Sequence, residues 1–474
     1  MPLCRRPSAR HQNGRICVKC SLQKHENSKV GPLEVKKTGP KLLFRALDSR
    51  NYRLYFTGQA VSLIGTWIQQ IAMRWLVYRL TKSEMLLGVV TFASDIPVFF
   101  LVPFAGLLAD KFKRHRILAI TQALSAFHAF VLAALVITDQ IAVWHIVVLG
   151  IFLGIISAFD IPVRQAFLVD VLEKKEDLGN AIALNSFIFN GAMLVGPSIA
   201  GIVIAFFGEG PGFVLNGVSY LALIVALYCM KIPDRKIASA NLQVGHGILE
   251  GAAYAFRSVP IRSILLLVAL VSFMGVSYTL LMPVFVENVL HGGPQEFGYL
   301  MSATGVGALA GAVFLASRRN ILGLGKVIVG AGVFYGMGLS ALSLSHQLPL
   351  SFILALVIGF SLMMLMASSN TILQTIVDET KRGRVISLFV MARRGVESFG
   401  ALVAGFVAHK FGTPDTLMIG GIVCSLAALA FATKLSSIRE TSRSFYKGLQ
   451  DARFDSLSDP TTNVANKLTA PPTV

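Results

Sequence analysis

Charged residues inside long apolar runs are the residues of this sequence best placed to do chemistry. Asp95 lies within one apolar run, and Arg74 lies towards the end of the run before it. Glu397 follows Arg394 by three positions and Arg393 by four, so a helix would bring the acid beside either arginine. Charged groups are costly inside a bilayer, so these residues are candidates for a proton or substrate pathway. They either form neutralised pairs that line a polar cavity or handle protons directly.

Proton handling requires a carboxyl group that takes up a proton on one side of a membrane and releases it on the other. Asp95 is the first choice, because only Arg74 opposes its charge. Two arginines, Arg393 and Arg394, precede Glu397 by about one helical turn and should keep that acid ionised. The sequence therefore predicts Asp95 as the proton carrier, ahead of Glu397.

No motif of an enzyme or of a nucleotide site accompanies these residues. The sequence contains no G-x-x-x-x-G-K-[ST] phosphate loop and no H-E-x-x-H pattern, and no Ser-His-Asp arrangement marks it as a hydrolase. Cys17 and Cys20 form one C-x2-C pair without a second pair at finger spacing, which is weak evidence for zinc. We expect no enzymatic activity, no cofactor and no metal.

The composition places these residues in a membrane. Of the 474 residues, 54% are hydrophobic and 14% are charged, and the mean hydropathy is +0.65. A soluble domain carries roughly a quarter charged residues. Apolar runs of about 20 residues match the length with which a helix crosses a bilayer, and the need to pair every backbone group there makes such runs helical. The sequence predicts an all-α membrane protein.

Twelve apolar runs are candidate transmembrane helices. The longest polar connector within this region separates the sixth run from the seventh, so the runs form two sets of six. The predicted organisation is an N-terminal tail 1–52, a six-helix domain 53–232, a linker 233–260, a second six-helix domain 261–434 and a C-terminal tail 435–474. The predicted spans are 53–79, 86–109, 116–138, 142–160, 180–207, 212–231, 261–286, 295–317, 324–345, 349–371, 384–409 and 413–434.

Lys and Arg are concentrated in alternate connectors. The even-numbered connectors carry most of them, whereas the odd-numbered ones hold only Arg79, Lys82 and Lys410. The positive-inside rule then places the even connectors, the linker and both tails in the cytoplasm. The tail 1–52 is also strongly basic. Contact with acidic lipid headgroups is favoured over a nucleic-acid arm, since no aromatic residues are interleaved with its charges.

An internal repeat supports the division into two sets. A shift of 204 residues lays 190–208 over 394–412 and aligns four glycines in each stretch. Because the aligned runs are the fifth and the eleventh, the sets are predicted to be parallel six-helix repeats related by an axis along the membrane normal. The aligned pairs are Gly191 with Gly395, Gly196 with Gly400, Gly201 with Gly405 and Gly208 with Gly412.

The connector between the second and third runs begins at Gly106 and reads GLLADKFKRHR. With the twelve-run layout, it resembles the major facilitator superfamily, whose motif at this point is G-x-x-x-D-[RK]-x-G-[RK]-[RK]. Gly106, Asp110, Lys111 and Arg114 match the motif, and Lys113 stands where the family has its second glycine. The resemblance implies the major facilitator fold and a conformational latch. In that latch the Asp110 carboxylate reaches the positive N-terminal end of the eleventh helix when the transporter is open outward.

The basic neighbours of the latch aspartate have acidic candidates on the next cytoplasmic connector. Lys111 and Arg114 can pair there with Asp160 or Asp170. The alternative interpretation is that these basic residues signal topology alone. We favour the latch, because inside-positive topology does not require an aspartate.

Three further stretches, 51–83, 159–186 and 378–395, resemble the branch that contains enterobactin and other siderophore exporters and macrolide efflux proteins. In the fifth run, Gly196, Pro197 and Gly201 are similar to the Gly-Pro motif of proton-driven antiporters. Helix packing around a proline kink is the alternative interpretation of these three residues.

The resemblance implies a secondary exporter in the inner membrane that moves a siderophore or drug-like amphiphile outward in exchange for protons. An uptake symporter of the same fold and a non-transporting membrane scaffold are the alternatives. We expect a monomer whose partners are a small-molecule substrate, protons and membrane lipid, with no nucleic acid.

Overall fold

The computed structural model describes residues 45–111, 113–230, 253–318, 323–377 and 379–435, and at 103–111, 175, 379 and 380 it describes the backbone alone. Within these ranges the chain is helical and contains no strand. Most of both predicted tails and most of the predicted linker lie outside the described residues.

The helices follow one another with short connectors, and a π-helical segment, Met391–Gly395, joins the eleventh to the twelfth. In chain order they are α1 (Arg50–Thr81), α2 (Glu84–Lys111), α3 (Arg114–Ile137), α4 (Val143–Val171), α5 (Leu178–Phe207), α6 (Gly210–Cys229), α7 (Val259–Asn288), α8 (Pro294–Ser317), α9 (Leu324–Ser343), α10 (Leu348–Ile376), α11 (Glu379–Val390), α12 (Val396–Phe411) and α13 (Thr413–Ala432).

Ten helices in the described part of the chain are long and apolar enough to cross a membrane. Helix α1 is not among them: it has 32 residues but carries many polar ones. The predicted span 384–409 is not among them either, because it is not one continuous α-helix. The π-helical segment divides it into α11 and α12.

Local sequence explains several helix boundaries. The Ser49 hydroxyl accepts a hydrogen bond from the backbone N–H of Tyr52 and so caps the start of α1. Proline occupies the first turn of α6, α7, α8, α10 and α13, where its missing N–H has no cost. Gly208 and Gly412 end α5 and α12 with φ of 79° and 89°, which favour glycine. These two glycines are one of the aligned pairs in the sequence.

The helices pack in a matching pattern within each predicted set. In the first set, α1 contacts α5 and α6, α2 contacts α4, and α3 contacts α4 and α6. In the second set, α7 contacts α12 and α13, α8 contacts α10, and α9 contacts α10 and α13. Between the sets, α2 packs on α12 and α5 packs on α8. The first of these two contacts brings together the helices that carry Asp95 and Glu397.

The outer surface of the bundle is apolar. Large hydrophobic side chains such as Phe206, Phe207, Trp144 and Tyr228 are exposed on it. Such a surface suits lipid rather than water, since a soluble protein rarely exposes extended apolar patches. The ten apolar helices and this surface together indicate a protein embedded in a membrane.

Candidate functional site

The five predicted pathway residues come from four segments and meet where the two sets are in contact. Arg74 of α1, Asp95 of α2, Arg394 of the π-helical segment and Glu397 of α12 interact electrostatically. Arg393 interacts with Arg394 and Glu397. Arg394 is exposed and the other four are half-buried. We call these five residues the charged cluster.

Aromatic rings lie one helical turn on either side of Asp95 in the charged cluster. The ring centroids of Phe92 and Phe399 lie 5.5 Å apart, and those of Phe99 and Phe399 lie 6.0 Å apart. On α2, Phe92 comes three residues before Asp95 and Phe99 comes four residues after it. Phe399 follows Glu397 by two on the facing helix. The site therefore combines charged groups with apolar ring surfaces.

The π-helical segment positions the two arginines that precede Glu397. It ends at Gly395, where a Cβ would lie 2.4 Å from the Cδ2 of Phe99. Only glycine allows the segment to approach the ring this closely. Single turns of π-helix occur frequently at functional sites. Glycine at 395 thus lets the segment pack directly against α2, beside Asp95.

No member of the charged cluster forms a salt bridge within 4.0 Å in the described part of the chain. A neutralised pair of Glu397 with Arg393 or Arg394 was one of the two interpretations of the sequence, and it assumed α-helical spacing, which the π-helical segment changes. Elsewhere acids and arginines do pair directly: Arg79 Nε lies 2.7 Å from Glu209 Oε1. The charges of the cluster are thus near one another without direct ion pairing.

Two pairs of glycines let the two sets approach closely. A Cβ at Gly405 of α12 would lie 3.1 Å from the Cα of Gly88 on α2. A Cβ at Gly298 of α8 would lie 2.8 Å from the Cα of Gly201 on α5. Small residues at these points allow helix backbones to touch. Gly201 and Gly405, which the internal repeat aligns, occupy matching contacts.

The antiporter-like residues of α5 lie in these same helix contacts. A Cβ at Gly196 would lie 2.5 Å from the Cβ of Trp67 on α1, and the carbonyl oxygen of Pro197 would lie 2.5 Å from a Cβ at Gly298. One residue further on, the Ser198 hydroxyl donates a hydrogen bond of 2.7 Å to the Ser302 hydroxyl. These contacts are helix packing, and a role in proton exchange remains a prediction.

The latch motif lies at the end of α2, which continues to Lys111. The side chains of Gly106, Asp110 and Lys111 lie outside the described part of the structure, so the latch itself remains a prediction. Arg114, the fourth motif residue, begins α3, and its Nη1 lies 3.1 Å from Oδ2 of Asp170 on α4. Of the two acids considered for this arginine, Asp170 forms the contact.

Asp160, the other acid considered for Arg114, has a different partner. Its Oδ2 lies 2.6 Å from Nη2 of Arg164, one helical turn further on. The Asp160 carboxylate also accepts hydrogen bonds of 2.8 Å from Thr121 and Gln122 of α3. All these partners of Asp160 belong to α3 and α4, so its carboxylate is already paired within the first set.

Ion pairs join the two sets at the end of the bundle where α1 ends and α2 begins, which we call the Lys82 end. Lys82 forms an ion pair with Glu287 of α7. Glu84 of α2 lies 4.0 Å from His409 of α12, a pair that attracts when the histidine is protonated. Lys82 of the first set thus reaches an acid of the second set.

A sequence profile of transmembrane secretion effectors matches residues 43–456, which include all the described helices. The chain belongs to this family. The match confirms the resemblance to the major facilitator superfamily and to its branch of siderophore and macrolide exporters. Members of the family are membrane transporters, so the chain is a multi-pass membrane transporter of a small molecule and not an enzyme.

Relatives with assigned roles match most of this chain and most of their own length. The staphyloferrin A transporter of Staphylococcus aureus is 28% identical over 80% of this chain and 95% of its own length. The multidrug efflux pump Tap of Mycolicibacterium fortuitum is 23% identical over 75% of this chain and 88% of its own. A bacterial homologue of the lysosomal transporter Spinster has the same fold, with a TM-score of 0.61 and 13% identity over 87% of this chain and 99% of its own.

Sequence reasoning missed the aromatic part of the site. Phe92 and Phe99 are two of 32 phenylalanines, and most of the others pack in ordinary helix contacts or face outward. The available signal was their spacing of one turn on either side of an acid within a membrane helix. The contact of Phe99 with Gly395 depends on the approach of α12 to α2 and has no signal in either helix alone.

Proposed function

We propose that this family member is a proton-driven exporter in the cytoplasmic membrane that moves a siderophore or drug-like amphiphile outward. The observation that carries the proposal is the charged cluster, which lies where the two sets meet and contains two carboxyl groups. A carboxyl group between two moving halves can bind a proton from either side in turn. The direction of export is supported by the relatives, which include the multidrug efflux pump Tap.

The proposed architecture is twelve transmembrane helices in two parallel six-helix repeats. Helix α1 and the rod formed by α11, the π-helical segment and α12 cross the membrane together with the ten apolar helices. The matching packing pattern of the two sets supports this arrangement. So does the equivalent placement of Gly201 and Gly405 in the two contacts between the sets. The polar residues of α1 and of the rod then face the pathway, which accounts for their lower hydropathy.

Transport in everted membrane vesicles tests the export proposal. Their cytoplasmic face is outward, so an exporter accumulates substrate inside when respiration makes the lumen acidic. The probe is rhodamine B, an amphiphilic dye, and a protonophore should abolish its accumulation. Accumulation only in right-side-out vesicles would indicate an uptake symporter. If vesicles of neither orientation accumulated the dye, a non-transporting scaffold would be favoured.

The proposed topology has both termini in the cytoplasm and the Lys82 end outside. Gln140 lies in the exposed connector between α3 and α4, and Lys174 in the exposed connector between α4 and α5. In a protein whose five native cysteines are replaced by serine, Gln140→Cys should react with an impermeant maleimide on intact cells. Lys174→Cys should react only after the membrane is opened. The reverse pattern would overturn the assignment drawn from the positive-inside rule.

The proposed latch consists of Gly106, Asp110, Lys111 and Arg114, with the Asp110 carboxylate as its moving contact. Asp110→Asn keeps the shape of the side chain but removes its charge. We expect near-normal membrane levels and export slowed roughly tenfold or more, equivalent to about 1.4 kcal/mol on the conformational step.

The matched control for this variant is Asp139→Asn, which removes an exposed acid at the Lys82 end. It should leave the initial rate of dye export unchanged. Equal export by the Asp110→Asn protein and the unaltered protein, at equal expression, would contradict the latch.

A further inference from the structure

We propose that the charged cluster recognises an amphoteric substrate, one that carries both a free carboxylate and a cationic group. This inference rests on the proposed export function and names the chemical class that the site selects. It assigns the carboxylate to Arg393 and Arg394, and the cationic group to Glu397, with the aromatic rings at the contact of α2 and α12 as the apolar part of the site.

The balance of charge supports recognition of an anionic group. The charged cluster contains three arginines and two carboxylates, so one positive charge is uncompensated within it. A charge inside a membrane protein requires a partner, because the surrounding hydrocarbon does not solvate it. A substrate carboxylate supplies that partner. Arginine suits this role, because its planar group binds a carboxylate through two parallel hydrogen bonds.

Accessibility selects Arg393 and Arg394 as the anion-binding pair. Arg394 is exposed and Arg393 is half-buried, and neither forms a salt bridge within the described part of the chain. By contrast, Arg164 is already paired with Asp160 at 2.6 Å. The π-helical segment also fixes the backbone of the two arginines, because Gly395 packs against Phe99. Two cationic groups on adjacent residues of a fixed turn are a preformed anion site.

The acids and rings supply the complementary half of the site. Glu397 lies on α12, and the rings of Phe92, Phe99 and Phe399 meet where α12 packs on α2. A carboxylate attracts the charge of an organic cation, and aromatic ring faces in the same site add to this attraction because they carry partial negative charge. Arg74 interacts electrostatically with both Glu397 and Asp95. When Asp95 takes up a proton it loses its negative charge, and Glu397 becomes the one charged acid of the cluster that attracts Arg74. Arg74 then offsets more of the charge of Glu397, which attracts the substrate cation less strongly. Proton uptake therefore favours substrate release.

Three dyes of similar size separate the requirements for the two charges. Rhodamine B carries a carboxylate and a delocalised cation, its ethyl ester keeps only the cation, and fluorescein keeps the carboxylate without the cation. Initial rates of accumulation are measured in everted vesicles and corrected for vesicles treated with protonophore. We expect rhodamine B to accumulate at least roughly tenfold faster than either of the other dyes, a difference of about 1.4 kcal/mol.

The variants Arg393→Gln and Arg394→Gln assign the carboxylate contact. Each should slow rhodamine B severalfold while leaving its ethyl ester unchanged, so that the preference between the two dyes shrinks. A purely structural defect would slow both dyes alike. Arg394→Lys should restore part of the preference, since it keeps the charge. The control is Arg262→Gln, an exposed arginine in the first turn of α7, which should leave the preference intact.

The outcomes distinguish this inference from the proposed function. Equal transport of rhodamine B and its ester, or of rhodamine B and fluorescein, would overturn amphoteric recognition while leaving export intact. An unchanged preference in both arginine variants would overturn the assignment to Arg393 and Arg394. If the unaltered protein accumulated none of the three dyes, the export proposal would fail and this inference with it.

Discussion

Replacement of Asp95 by asparagine should abolish export driven by a pH gradient while leaving substrate binding largely intact. Asparagine has nearly the same shape as aspartate but takes up no proton in the range in which the carboxyl group titrates. In our proposal the substrate contacts Arg393, Arg394 and Glu397, and the charge of Asp95 acts on binding only indirectly, through Arg74. Asparagine, like protonated Asp95, should therefore weaken binding modestly without abolishing it. The measurement is dye-induced proton movement in proteoliposomes that hold the variant and the unaltered protein at equal density, with binding followed by rhodamine B fluorescence polarisation.

Glu397→Gln is the matched comparison for this prediction. It also neutralises a carboxyl of the charged cluster, but in our proposal Glu397 binds the substrate and does not carry the proton. Tested at saturating dye, it should keep the number of protons moved per dye molecule. Proton movement that survives Asp95→Asn and is lost in Glu397→Gln would reverse the ranking of the two acids. If both variants kept it, the coupling residue would lie elsewhere, and if the unaltered protein moved no protons, antiport would be excluded.

A covalent bridge between residues 82 and 287 should stop transport. Lys82 and Glu287 form an ion pair between the two sets at the Lys82 end. Alternating access requires the sets to separate there so that substrate can leave. In the cysteine-free background, Lys82→Cys with Glu287→Cys should export the dye until a short bismaleimide joins the two cysteines, and then export should cease.

The control bridge joins two residues of the same set. Arg79 and Glu209 also form an ion pair at the Lys82 end, but α1 and α6 pack together within the first set, so we expect them to move as one body. The same reagent on Arg79→Cys with Glu209→Cys should leave the export rate nearly unchanged. Persistent export after complete reaction at 82 and 287 would show that this end does not open during transport. Loss of export in the control would show that the reagent itself inactivates the protein.

The ion pairs at the Lys82 end and the charged cluster differ in a way that fits their proposed roles. Lys82 and Glu287 form a direct ion pair, which contributes a modest stabilising free energy to the one arrangement of the two sets in which they are in contact. The residues of the charged cluster interact without direct pairing, which leaves their hydrogen-bonding groups available to a ligand. The ion pairs that stabilise one conformation are therefore at the Lys82 end of the bundle, and the groups proposed to bind substrate lie further along α2 and α12, in the charged cluster.

The helical membrane fold could be predicted from the sequence because it depends on local properties. Length and apolar composition fix which segments enter a bilayer, and the lack of water there forces them to be helical. The repeat of glycines also anticipated the matching roles of Gly201 and Gly405, since a close helix contact needs a small residue wherever it occurs. The candidate acids Asp95 and Glu397 could also be identified from the sequence, because charged residues are rare in apolar runs.

The arrangement of the site was decided only by the tertiary structure. Helical spacing within one segment allowed Glu397 to pair with Arg393 or Arg394, but the π-helical segment, where Gly395 packs against Phe99, changed that spacing. Likewise, no local pattern indicates that the partner of Glu287 is Lys82, which lies 205 residues away in the chain. Sequence spacing determines neighbours along a helix. Contacts between helices depend on packing, which the order of residues in either helix does not specify.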